Sequence, residues 1–244
     1  MEKTISIDGI IIEKKDPFFE LWMGMEDKEY YASDSFLSDT ADLKSGDTLN
    51  IDVFTDGGNI DAGIRIYNAA KELQAKGVNV VTFNKGKQHS IGNVIMLGGN
   101  VRKAYQSSIG LVHLPRVSPE YFYQFMAGVT SDDLDVVTSD LKLENERMLD
   151  IYVKETGTGK AALEKIMHEE KTLSAQQLKS LGFLTEIVDG ESVAEKAAQN
   201  LLYSNKFMFN LKAKNAMPKE KEKEKEKKLR EVFNGIKGLM KSFN

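Results

Sequence analysis

Three short stretches of this chain carry the residue types that acyl-transfer chemistry requires. The first is VFTDGGNIDAG, residues 53–63, where an apolar strand ends, two glycines follow and a helix-like run begins. A helix that opens on Gly57 and Gly58 exposes free backbone N–H groups and the positive end of its dipole, which suit an anion or a developing oxyanion. The same pair also suits an ordinary tight turn. The second stretch is QHSIG, residues 88–92. Ser90 sits where an apolar strand gives way to an apolar helix, with the N–H of Ile91 beside it, and Gly92 permits close approach. The Gly-x-Ser-x-Gly elbow is absent, and Ser90 alone also suits a helix N-cap.

A serine nucleophile needs a base, and the chain has three histidines. His89 adjoins Ser90 and is expected to point the other way. His168 falls on a polar helix, where solvent is its natural partner. His113 closes the apolar run IGLVHLP, residues 109–115, the third stretch. A lone strand histidine is commonly structural. This one ends a strand expected to neighbour the strand leading to Ser90, so both ends can meet at one sheet edge. The base in turn needs an orienting carboxylate, and HEEKTLS offers Glu169 and Glu170.

These residues need a scaffold of strands and helices. Periodicity predicts strands over 3–12, with a turn at Asp8-Gly9, and over 49–54, 78–83, 109–114 and 183–188. Helices are predicted from the Asn59 cap to Ala75, after Ser90, and over 131–155, 160–169 and 191–204. Ser174 with Gln177 forms a capping box for the helix that follows. The long helix 131–155 has Leu134, Val137, Leu141, Leu143 and Met148 to bury. Alternating strands and helices define an α/β domain with a mostly parallel sheet.

Composition bounds the rest. The absence of cysteine excludes disulfides and thiolate metal sites. No apolar run approaches the length of a membrane span, and the N-terminus lacks the layout of a signal peptide, so a cytoplasmic protein is expected. A net charge of −4 argues against a general nucleic-acid binder. ETGTGKA, residues 155–161, looks like a phosphate loop but lacks its first glycine and its terminal Ser or Thr. No cofactor and no metal are expected.

Taken in order, FTDGGNIDAGIRIYNAAKEL, GKQHSIGN, LVHLP and EEKTLSAQQLKSLGFLTEIVD resemble the Clp peptidase family over roughly residues 45–190. The early ISIDGII and LWMG stretches are closer to the related proteases of phages and prophages, which process capsid and scaffold proteins. The resemblance implies a ClpP/crotonase-like fold and a serine endopeptidase. Ser90 is then the nucleophile, His113 the base and Glu170 its orienting partner, with Glu169 as a rival. The N–H groups of Gly58 and Ile91 form the oxyanion hole, and substrate lies extended beside Asn59 and Ile60. Asp56 stands where the ATP-dependent peptidases usually have proline, and the 23 residues from Ser90 to His113 are slightly fewer than expected. SPEYFYQFMAGV, 118–129, replaces the glycine-rich handle region. The resemblance further implies a protein or peptide substrate, a ring-forming homo-oligomer, and work without an unfoldase ATPase. An assembly component with little activity, and an acyl-CoA enzyme of the crotonase type, are the alternatives.

The chain is expected to divide into a peptidase domain over 1–204, a charged linker over 205–228 and a short amphipathic segment over 229–244. The KEKEKEKEKK run is a solvated connector. Beyond it Leu229, Val232, Ile236, Leu239 and Phe243 form a two-heptad apolar seam, either a frayed extension or a docking segment.

Overall fold

The computed structural model describes residues 1–15, 29–117 and 128–188, all within the compact unit Met1–Gly190. The predicted helix 191–204, the linker, the terminal segment and most of the 118–129 stretch lie outside the described residues.

Five parallel strands neighbour one another in the order β2 (Tyr30–Ala32), β1 (Glu2–Ile12), β3 (Thr48–Gly58), β4 (Asn79–His89) and β5 (Val101–Tyr105), with β8 (Glu186–Val188) beyond β5. The crossovers from β3 to β4 and from β4 to β5 are helical, as such a sheet requires. The fold is therefore α/β with a mostly parallel sheet. Alternation decides the buried side: Leu49, Ile51 and Val53 are fully buried while Asn50 and Asp52 between them are half-buried. Helix α2 (Ile60–Ala75) lays Ile66, Ala70 and Leu73 on that buried side, and α1 (Ser33–Thr40) adds Phe36. The apolar α3 (Gly92–Leu97) is buried along its whole length.

Several elements differ from the sequence prediction. Gly9 makes no turn. It has φ +78° and stands alone opposite Thr55 and Asp56, so β1 continues past it while β3 carries the one-residue bulge. Strand β3 runs on through the glycine pair, because Ile10 and Ile11 pair with Gly57 and Gly58. Strand β4 likewise reaches His89. Its first half pairs with β5, and Lys87–His89 pair instead with β6 (Ile109–Leu111).

Helix α4 (Ser131–Thr156) ends at Gly157, which takes the left-handed conformation, and α5 (Lys160–Glu169) follows after Gly159. The phosphate-loop look-alike is thus a helix-to-helix turn. Only the C-terminal half of α4 packs in the core, through Met148, Leu149 and Tyr152. Leu134 and Leu143, expected to be buried, are 58% and 56% exposed. Glu155 ties α4 to α2, accepting from Tyr67 Oη and Lys71 Nζ at 2.7 Å each. Burial raises its pKa, yet those bonds prevail and hold the carboxyl below its usual range. Strand β7 (Thr172–Ser174) runs antiparallel to β6, and α6 (Ala175–Ser180) starts on the predicted Ser174–Gln177 capping box. No helix among the described residues is long and apolar enough to cross a membrane.

Candidate active site

Strands β3 and β4 end side by side, and this juxtaposition builds the site. Thr55 pairs with Gln88, which brings the residues that follow, Asp56-Gly57 and His89-Ser90, against each other. Gly57 has φ +106°, and a Cβ placed on it would lie 2.6 Å from Ser90 Cβ and 3.2 Å from Ser90 Oγ. Its N–H donates to Thr55 Oγ1 at 2.9 Å, and the same hydroxyl donates to Gly9 O at 2.5 Å. Gly9 of β1, opposite the β3 bulge, therefore helps set the glycine turn.

Ser90 itself has φ +52°, the left-handed region that L-residues enter at a cost of roughly 1–2 kcal/mol. It is not a helix cap: Ile91 occupies the cap position of α3 and makes no side-chain cap bond. The geometry is that of a sharp strand-to-helix elbow, reached without the Gly-x-Ser-x-Gly pattern. Gly63 of α2 and Gly92 make room for it. A Cβ on Gly63 would lie 2.2 Å from Ile91 Cγ1, and one on Gly92 would lie 2.6 Å from Thr55 Cγ2.

Behind the elbow lies a polar network that the sequence reading missed. Asn84, Gln88 and Asn93 are fully buried. Asn84 Nδ2 donates to Gln88 Oε1 at 2.9 Å and to Ile109 O at 3.0 Å, and Gln88 Nε2 donates to Asn93 Oδ1 at 3.0 Å. Asn93 Nδ2 donates to Ser90 O at 3.0 Å and to Leu111 O at 2.8 Å, while Ser90 N donates to Leu111 O at 2.8 Å. The network fastens the serine elbow to the strand that leads to His113. Asn93→Ala will strand several of these groups, and we expect it to lower stability by about 2–3 kcal/mol in urea unfolding.

The acid–base residues are less closely assembled. Among the described residues no hydrogen bond joins Ser90 Oγ to His113, whose Nδ1 is buried without a partner. The β6–β7 pairing ends at Leu111 and Thr172, two residues short of His113 and of Glu170. The Glu170 carboxylate accepts from Arg116 Nη2 at 2.5 Å. Glu170 closes α5 in the left-handed conformation. Its rival Glu169 pairs with Lys165 and Lys171. His168 is exposed, as expected.

His89 does not simply turn away from the site. Its Nδ1 lies 3.4 Å from Asp56 Oδ1, and Lys87 Nζ holds Asp56 Oδ2 at 2.5 Å. The signal was available in the sequence, since Asp56 precedes Gly57 as His89 precedes Ser90 on neighbouring strands. Desolvation lowers the His89 pKa below its ordinary 6.5, aided by the charges of Lys87 and His113 and opposed by Asp56. The unfolded chain therefore binds this proton first as pH falls. Stability is expected to decline from about pH 6.5 downward until the folded imidazole also protonates. Thermal unfolding followed between pH 7.5 and 5.5 checks this, with His89→Ala flattening the slope.

A groove of about 230 Å³ opens beside the elbow, with Gly58, Asn59 and Ile60 on one side and Pro115 and Arg116 on another. Val137, Asp140, Leu141 and Glu144 line it from α4. Asn59 is committed to the fold: its N–H donates to Ile11 O at 2.8 Å, its carbonyl accepts from Gly63 and its side chain caps α2.

The family model described as Clp protease matches residues 36–191, and the chain belongs to the Clp protease family. The ATP-dependent Clp protease proteolytic subunit 1 of Chlamydia abortus is 26% identical over 134 residues, 54% of this chain and 65% of that protein. The corresponding subunit of Chlamydia pneumoniae is 27% identical over the same length and the same shares. The chain thus matches just under two thirds of the length of these curated relatives. In fold it is similar to a ClpP1 point mutant from Listeria monocytogenes, with a TM-score of 0.57, 18% identity, and coverage of 77% of this chain and 92% of that one.

Proposed function

We propose that this chain is a serine endopeptidase. The observation that carries the reading is Ser90, held in the left-handed conformation at a strand-to-helix elbow and pressed against Gly57. Ser90 Oγ attacks a peptide carbonyl, and His113 takes its proton and returns it to the leaving amine. The N–H groups of Gly58 and Ile91 receive the oxyanion, a contribution on the order of 3–4 kcal/mol per donor. Glu170 orients His113 once it leaves Arg116. The peptide lies extended along the groove by Asn59 and Ile60, adding to the sheet as a strand would.

The finer reading is a phage or prophage type that processes capsid or scaffold proteins as a ring-forming homo-oligomer in the cytoplasm, with no unfoldase. The resemblance of the N-terminal stretches supports it. A second reading, an assembly component with little hydrolytic activity, is favoured by one observation: the Glu170 carboxylate is paired with Arg116, and no hydrogen bond joins it to His113 among the described residues. Labelling with a fluorophosphonate separates the two. Labelling that requires both Ser90 and His113 supports the peptidase, and none in a folded protein supports the assembly component.

A further inference from the structure

We propose that Asp56 and His89 form a second positioning pair for His113, in which the bare Nε2 of His89 accepts the Nδ1–H of His113. The catalytic consequence rests on the peptidase reading, whereas the contact itself does not.

Two buried nitrogens near the elbow have no partner, His89 Nε2 and His113 Nδ1. Buried polar atoms rarely remain so, and each such atom asks for an account. They do not bond each other in the structure, but as donor and acceptor they are complementary, and a small turn of either ring is what the proposal requires. A carboxylate can only accept, so Asp56 Oδ1, 3.4 Å from His89 Nδ1, favours the His89 proton on that nitrogen. Nε2 is then a bare acceptor. Lys87 steadies the other oxygen of Asp56 at 2.5 Å. His113 as a general base must carry its own proton on Nδ1, leaving Nε2 free to take the proton of Ser90, so its Nδ1–H is the matching donor.

Placement agrees. His89 pairs with Leu111, two residues before His113. A charge on His113 is the weakest of the influences that shift the His89 pKa, in the lowering direction. Meanwhile the Glu170 carboxylate is paired with Arg116. The charged groups around the pair are therefore Asp56 of β3, Lys87 of β4, and Glu170 with Arg116. During attack the Ser90 proton moves to His113 Nε2, and the Nδ1 proton stays on His113. No proton passes to His89, which acts only by position.

The test is long-range ¹H–¹⁵N NMR of the histidine rings in the full chain. Wild type should show His113 as the Nδ1–H tautomer. His89→Ala should shift it toward the Nε2–H form, and Asp56→Asn should do so in part. His89→Gln, which offers an amide oxygen as acceptor, should restore it and guards against a folding defect in the alanine variant. In hydrolysis of a fluorogenic peptide, His89→Ala should lower kcat on the order of 100-fold with little change in KM. A His113 tautomer that ignores His89→Ala, or that moves only with Glu170→Gln, overturns the proposal. If Ser90 never labels and no peptide is cut while His89→Ala still moves the tautomer, the peptidase reading falls and the positioning pair stands.

Discussion

Ser90→Ala will leave a folded protein that no longer cuts. The loss in kcat on an unstructured protein such as casein should be on the order of 10⁶-fold, because removing the nucleophile leaves only binding and the oxyanion donors. Stability should stay within about 0.5 kcal/mol of wild type. Alanine has the same Cβ, the same left-handed backbone at position 90 and no altered contact with Gly57. His113→Ala should approach the same floor, since residues of one catalytic unit are not additive. Fluorophosphonate labelling and casein hydrolysis read both variants, with thermal unfolding as the control. Residual activity near wild type in Ser90→Ala would remove Ser90 from the mechanism and leave the elbow as a packing device.

The second large effect divides the two turn glycines. Gly58 has φ +147°, and a Cβ there would lie 2.3 Å from Ile11 O and 2.6 Å from Ile11 N. Those are backbone atoms of the paired strand, so nothing nearby can rotate out of the way. Gly58→Ala is therefore expected to lower stability by about 3 kcal/mol or more, and the melting temperature by roughly 6–12 °C. Gly57→Ala meets Ser90 at Cβ and Oγ and the His89 carbonyl oxygen, and its φ of +106° strains any L side chain. It should lower stability less than Gly58→Ala does and, by displacing the nucleophile, depress activity. The two variants compared by calorimetry and by peptide hydrolysis check the split. Equal melting temperatures would show that the β1–β3 edge yields at Gly58.

The order of strands and helices around Ser90 was legible because long elements advertise themselves. Sixteen residues of α2, with Ile66, Ala70 and Leu73 on one face, give several turns of periodicity. Strands β2 and β7 have three residues each, too few to show alternation, and their places come from pairing partners elsewhere in the chain, whereas β6 and β8 are the paired parts of the longer apolar runs 109–114 and 183–188. The glycine pair looked like the end of a strand because propensity rules read glycine as a break. The pairing of Ile10 and Ile11 overrides that. Within the site, the closeness of Gly57 and Ser90 followed from strand order. Asn84, Gln88 and Asn93 did not stand out, since polar residues at a strand end read as solvated. Their hydrogen bonds to one another and to nearby backbone make burial tolerable. The capture of Glu170 by Arg116 depends on side-chain direction, which no spacing rule encodes.

The left-handed backbone at Ser90 has an implication for how such a chain drifts. Glycine would relax position 90, at an entropic loss of roughly 0.5–1 kcal/mol that only partly offsets the gain. Mutation alone therefore pulls this site toward a residue that cannot react, and folding does nothing to resist the pull. A descendant freed from the need to cleave would be expected to lose its hydroxyl early and keep its fold. On the peptidase reading, a serine kept at position 90 is the residue whose loss would mark the end of that use.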